Sequence, residues 1–215
     1  MEFKIDFPHS LDLRGTDYTI LKYDITEDEF WKLSDEDTNF ELIDGVLVIH
    51  SPASTEHEQL FSYLNRLLGF YVEEKEIGVL LGSRLVMRLD PKWSPEPDLM
   101  LVLSENQNII KDTRVEGAAD FVIEILSKAT RDIDLQKKVP KYLECGVKEI
   151  WIIDPENKKF SVYEGENKKT WDIGMQELNI DSKILPDFVL KPIWLWSRQD
   201  FPVNQIIKKI SRDLD

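Results

Sequence analysis

The sequence predicts one mixed α/β (α+β) domain, and three observations carry that reading. Residues 121–126, FVIEIL, and 147–154, VKEIWIID, are β-branched and aromatic runs of the kind that form strands covered on both faces, with a helical stretch between them. Phe40 to Pro52 places Asp44-Gly45 between two apolar runs, the clearest hairpin signal in the chain. From Thr55 to about Lys75, apolar residues recur at spacings of three and four, the pattern of an amphipathic helix.

Residues 1–23 show no periodicity and read as an extended arm, or as a strand that pairs with a partner. Thr26 to Glu29 form a capping box that opens a short helix through Phe30, Trp31 and Leu33. In the hairpin, Glu41 starts the first strand and Val46 to Ile49 form the second. His57 falls in the first turn of the long helix, where a lone histidine reads first as a packing or capping residue. Residues 79–90, VLLGSRLVMRLD, form a long strand with a bulge or bend at Gly82. The stiff segment Lys92 to Asp98 leads into the strand LMLVL, and Asp98 stands at the mouth of the sheet. Taken alone, Asp98 reads as a cap or turn residue. Residues 104–119 form a loop with at most a short helical turn.

Glu124 lies in the middle of FVIEIL. Burying an unpaired carboxylate costs several kcal/mol, so Glu124 must be protonated, paired or holding a cation. After it, Thr130, Asp134, Lys138, Tyr142 and Gly146 follow at steps of four. Neighbours at this spacing touch on a helix, and each step overshoots one turn by roughly 40°, so the row winds slowly around it. Pro140 removes a backbone donor and predicts a kink near Lys137 or a restart there. Gly146 supplies the stop, and the strand, helix, strand order implies a right-handed parallel crossover between two central strands. Beyond Asp154-Pro155 the expectation is a hairpin turning near Glu166 and Asn167. The apolar segment ILPDFVLKPIWLW then covers a sheet edge, and a terminal helix within 197–215 docks on the domain or on a second subunit.

Composition narrows the function. The chain has 215 residues, 42% hydrophobic and 32% charged, with no apolar run near the roughly 20 residues of a membrane span and no signal-peptide pattern. A cytoplasmic location without membrane attachment is the expectation. One cysteine, Cys145, and three histidines exclude an ordinary structural zinc cluster. Cys145 reads as a small core residue. The net charge of −14 argues against casual nucleic-acid binding, but half of it, −7, belongs to residues 1–40, whereas residues 111–150 carry eight acidic and eight basic side chains. There is no glycine-rich phosphate loop and no paired nucleophile and base of the kind that would mark a small-molecule enzyme.

Two carboxylates on neighbouring strands and a nearby lysine are the parts needed to hydrolyse a phosphodiester with a hard divalent cation. Pro97-Asp98 followed by Glu124 resembles the PD-(D/E)xK nuclease superfamily, except that Leu126 stands where a lysine two residues after the glutamate is usual. The pattern of aspartate, lysine, tyrosine and Gly-Val at Asp134, Lys138, Tyr142 and Gly146-Val147 is similar to one branch, the Uma-type "putative restriction endonuclease" family, in which the lysine has migrated to the helix. Phe40 to Gly45, Ser51-Pro52, His57, Glu124 to Ser127, Lys138 to Pro140, Glu149 to Pro155 and Leu185-Pro186 extend the likeness over roughly residues 24–196.

That resemblance implies a restriction-endonuclease-like mixed sheet flanked by helices, with an N-terminal β-hairpin before it, and a C-terminal helix following in 197–215. It implies Asp98, Glu124 and Lys138 as the catalytic set, Asp98 and Glu124 as ligands of Mg²⁺ or Mn²⁺, and Glu41, His57 and Tyr142 as auxiliary residues. DNA is the expected substrate, a homodimer the expected assembly, and an unidentified targeting partner a further expectation. The alternative is a nuclease-fold module that binds nucleic acid or protein without cutting.

Overall fold

The computed structural model describes residues 17–34, 40–172 and 178–214, with side chains through Ile210. Its centre is a six-stranded mixed sheet built on the two runs that the sequence marks as buried. We label the strands β1 (Thr19–Lys22), β2 (Phe40–Ile43), β3 (Val46–His50), β4 (Gly78–Gly82), β5 (Leu99–Leu103), β6 (Phe121–Ile125), β7 (Glu149–Asp154), β8 (Lys159–Glu164) and β9 (Asn167–Asp172). The helices are α1 (Glu27–Leu33), α2 (Thr55–Glu74), the composite α3 described below, and α4 (Val203–Leu214). The sheet order is β9-β8-β7-β6-β5-β4. β6 and β7 are parallel, with Glu124 opposite Ile152, while β5 runs antiparallel to β6 with Leu99 opposite Ile123.

All residues of β6 and β7 are buried, because both faces of the sheet are covered. Alternation sorts them. Phe121, Ile123, Ile125, Leu99 and Leu101 pack with α2 on one face, while Val122, Leu126, Met100 and Val102 pack with Val139 and Tyr142 of α3 on the other. The same parity puts Glu124 and Asp98 on the α3 face. The N-terminal hairpin is present with Asp44 and Gly45 both at positive φ, 56° and 74°, the combination a two-residue hairpin turn requires. It belongs to a smaller sheet of β1, β3, β2 and the two-residue strand Trp93–Ser94, and α1 opens on the expected Thr26 capping box.

α3 is where Pro140 acts. An α-helical turn, Arg131–Ile133, passes into a π-helical segment, Asp134–Lys138, and back into an α-helical segment, Val139–Glu144. Pro140 cannot donate to the carbonyl four residues back, and the Val139 N–H reaches the Asp134 carbonyl instead. The expected irregularity is therefore a widened turn just before the proline. The helix ends on Gly146 at φ 99°, with Gly146 N–H on Leu143 O and Val147 N–H on Tyr142 O, the paired bonds of a Schellman stop.

Several expectations are corrected. Thr19–Lys22, assigned to the arm, pairs with β3 of its own chain, and residues 1–16 lie outside the described residues. Residues 79–90 are not one strand: the chain leaves β4 through Ser83 and Arg84, both at positive φ, and Val86–Arg88 pairs in a separate ribbon with Arg114–Glu116. That pairing also turns part of the expected loop 104–119 into a strand, and Ser104–Ile109 forms a 3₁₀ helix. The segment after Ile184 covers a face of the sheet rather than its edge, because Leu185, Phe188, Leu190, Trp194 and Leu195 join the core on the α2 side. α4, by contrast, docks on the domain, one of the two placements expected of it, and buries Val203 and Ile206 in that core beside α2. Among the described residues no helix is long and apolar enough to cross a membrane.

Asp154 ties the end of β7 to the start of α3. It accepts two hydrogen bonds from the Arg131 guanidinium, at 2.5 and 2.7 Å, and two from Asn157. Burial works against the carboxylate, but these donors outweigh it and hold its pKa at about 2. The folded pKa lies below the unfolded one, so the stabilisation is present above about pH 4 and disappears as pH falls toward 2. Asp154→Asn should lower the unfolding free energy by about 2 kcal/mol at neutral pH, and urea titrations should show the gap to wild type closing through that acidic window.

Candidate functional site

Five segments distant in sequence converge on one cleft of about 560 Å³ at the ends of β5 and β6, with Glu41, His57, Glu96, Asp98, Glu124 and Lys138 in its wall. At its floor, Lys138 is 3% exposed and surrounded by carboxylates. Its Nζ lies 2.6 Å from Glu41 Oε1, 3.0 Å from Asp134 Oδ1 and 3.6 Å from Glu124 Oε1. Burial alone would lower the ammonium pKa, but Asp134, Glu124 and Glu41 together raise it well above its ordinary value, so Lys138 stays charged.

The helix positions this lysine through its own hydroxyls and acids. Ser127 Oγ lies 2.9 Å from Thr130 Oγ1, and the Thr130 hydroxyl donates to Asp134 Oδ2 at 2.8 Å. Asp134 in turn pairs with Lys138 four residues on, across the π-helical segment. Tyr142, another four residues along, donates its hydroxyl to Glu124 Oε1 at 2.6 Å. The ladder of four-residue steps is thus a relay of contacts from the end of β6 back to Glu124 in its middle.

Three buried carboxylates face one ammonium, so the floor carries more potential negative charge than positive. Burial drives the Glu124 pKa well above its usual range, with Lys138 opposing and the neighbouring carboxylates adding. Asp134 is raised for the same first reason. Glu96 is pushed up to about 9 by burial, with Glu41's charge adding and Lys138 and Arg84 opposing. Glu41 accepts the Glu96 backbone N–H at 2.8 Å through Oε1, while its buried Oε2 has no hydrogen-bond partner among the described residues.

Asp98 occupies the more open part of the cleft, with 21% of its side chain exposed. Its Oδ2 accepts the Ile125 N–H at 2.6 Å, and its Oδ1 lies 3.2 Å from His57 Nε2. Burial disfavours a charged imidazole, but the bond to Asp98 and its charge prevail and raise the His57 pKa. Backbone crowding fixes the position of Asp98, because a Cβ on Gly82 of β4 would stand 2.3 Å from the Asp98 carbonyl oxygen. Among the described residues four lysine and arginine side chains line the cleft. Lys128, Arg131 and Lys138 are ion-paired, while Arg84, exposed between β4 and Val86, has no ion-pair partner among the described residues.

The structure therefore brings together every residue singled out in the sequence: Asp98, Glu124, Lys138, Glu41, His57 and Tyr142. Glu41 is more than peripheral, being the nearest carboxylate to Lys138. Glu96 and Arg84 escaped the sequence reading. The signal for Glu96 was its spacing of two from Asp98, which puts both side chains on one side of an extended chain. Arg84 carries no comparable pattern. Cys145, half-buried at the end of α3, has its thiol pKa raised by burial, the opposite of an activated nucleophile.

Comparison with known proteins adds two findings. The family model Uma2, described as "Putative restriction endonuclease", matches residues 27–191. Among solved structures, the chain is similar to "a putative nuclease belonging to DUF820 from Anabaena variabilis ATCC 29413", with a TM-score of 0.70 and 21% identity over 80% of this chain and 98% of that one, a likeness of fold. No curated protein matches.

Replacing Lys138 with methionine keeps the stem and removes the cation that, among the described residues, pairs with Glu41, Asp134 and Glu124. Breaking one side of such a buried network should cost about 3–5 kcal/mol in denaturant unfolding at neutral pH. The deficit should shrink in acid as the orphaned carboxylates take up protons.

Proposed function

The chain belongs to the Uma2 family of "Putative restriction endonuclease" proteins, and from that premise we propose that it is a metal-dependent endonuclease hydrolysing DNA phosphodiester bonds in the cleft of Asp98, Glu124 and Lys138. The observation that carries the proposal is the meeting of these three side chains in one cleft, with the lysine held charged by carboxylates.

The donor set fits a hard divalent cation. Asp98, the residue just before β5, and Glu124 of the adjacent β6 both line the cleft, and Mg²⁺ is characteristically held by one or two carboxylates, with water and substrate phosphate completing its shell. Among the described residues no group of three or more His, Cys, Asp or Glu is arranged to hold a metal ion, so the proposed ion would rest on Asp98 and Glu124 alone, with water and phosphate as its other ligands. The excess of buried carboxylate over cation points the same way. A Mg²⁺ or Mn²⁺ ion bound there would polarise the phosphate and make a nucleophilic water available near neutral pH.

The chain's own groups then have separable tasks. Asp98 and Glu124 hold the ion, and the Ile125 N–H and His57 fix the Asp98 carboxylate. Tyr142 fixes Glu124 through its hydroxyl. Lys138 offers a positive charge at the cleft floor to negative charge developing on the phosphate oxygens, and Glu41 and Asp134 keep it protonated and in place. Arg84, unpaired at the cleft rim, contacts a substrate phosphate. A homodimer would provide two cleavage sites.

The alternative of a non-cutting binding module has one observation in its favour: Lys138 is already saturated by carboxylates, as a purely structural lysine would be. Incubating supercoiled and linear DNA with Mg²⁺ or Mn²⁺ separates the readings. The wild type should nick or linearise DNA only with metal, and Asp98→Ala and Lys138→Ala should each lose activity by at least about a hundredfold. A folded wild type that neither cuts nor binds metal would leave the module.

Arg84→Ala should weaken DNA binding and lower the slope of log K against log salt by about one, with Arg84→Lys restoring most of the slope. Metal binding followed by calorimetry should release protons, because carboxylates pushed up by burial must ionise to bind the ion.

A further inference from the structure

The two edges of the central sheet are unlike. β9, NKKTWD, ends it with an exposed, lysine-bearing strand, the usual protection against edge-to-edge pairing. β4, GVLLG, ends it on the other side with no charge at all and every residue partly exposed.

Register shows which of its backbone groups are free. Ser104 N–H donates to Ile77 O and Ser83 N–H to Asp98 O, so residues 77, 79, 81 and 83 face β5 and form the ladder. The N–H and C=O groups of Gly78, Leu80 and Gly82 consequently point outward, and none has a backbone partner among the described residues. Beside this edge runs a groove of about 710 Å³ walled by α2 and α4, with Arg66 and Glu73 of α2 in its lining. Neither has an ion-pair partner among the described residues.

We propose that this edge pairs antiparallel with β4 of a second copy of the chain, centred on Leu80. GVLLG is nearly the same read in either direction, so a two-fold axis through Leu80 sets Gly78 against Gly82 of the copy and Leu80 against itself. Each facing pair exchanges both its bonds, giving on the order of six new hydrogen bonds.

Charge agrees with this register. α2 leads into β4 through a short turn, so Glu73 lies by the Gly78 end, and Arg66 stands two turns further from that end on the same groove wall. The two-fold then brings Arg66 of one copy to Glu73 of the other, twice. A five-residue strand pair alone is too small for a stable dimer, and the groove beside it supplies further contact surface. The proposal does not depend on the nuclease reading.

Sedimentation and light scattering of the full chain test it. The wild type should run at about twice its 25.2 kDa at micromolar concentration. Leu80→Pro removes an N–H that the monomer's ladder does not use, and should give a folded monomer. Glu73→Arg and Arg66→Glu should each weaken dimerisation at least about tenfold, and the double swap should restore it, a rescue that general destabilisation cannot mimic. A monomeric wild type, or a dimer indifferent to Leu80→Pro and to the charge swap, overturns the proposal.

Discussion

The fold is organised around one ammonium group. Lys138 reaches into a dehydrated floor where a charge is tolerable only if paired, and its partners come from three separate elements: Glu41 from the small N-terminal sheet, Glu124 from the centre of the main sheet, and Asp134 from its own helix. Each is itself a buried acid that needs the lysine. The N-terminal sheet is therefore fastened to the main one by electrostatics as well as by packing, and the relative placement of strands, helix and hairpin is set by a contact that allows little slack.

On the nuclease reading, this accounts for a site with no lysine beside Glu124. Position 126 is filled by Leu126, buried in the core on the α3 side, so the strand gives that space to packing. The positive charge arrives from the helix above. A π-helical turn next to a proline is what allows Asp134, Lys138 and Tyr142 to hold their contacts at one floor, since a widened turn alters how side chains at steps of four follow one another. An irregularity that costs helix stability is kept where it aims a charge.

Much of this was legible in the sequence, for identifiable reasons. β6, β7, the hairpin, α1 and α2 follow local rules of alternation, turn chemistry and capping, and they appear where those rules put them. Glu124 and Lys138 stood out because a charge inside an apolar run and a four-residue ladder are visible one-dimensional patterns, whereas Asp98, which alone reads as a cap or turn residue, was singled out only by the family resemblance. The pairing of Val86–Arg88 with Arg114–Glu116 could not be seen, since it joins two three-residue strands far apart in sequence and neither is long enough to show a period. The division at Ser83-Arg84 was hidden for a different reason: left-handed backbone at two non-glycine residues is imposed by tertiary structure and contradicts their local preference. The face covered by Leu185 to Leu195 was invisible because hydrophobicity predicts burial without predicting against what.

Gly82 illustrates a separation between where a site is and what specifies it. It lines no part of the cleft and carries no functional group, yet a single methyl group there would collide with the carbonyl of Asp98. Anyone transplanting this arrangement of acids and lysine onto another scaffold would copy the residues that line the cleft and overlook this one. The transplanted aspartate would then arrive displaced, by a cause with no chemistry of its own.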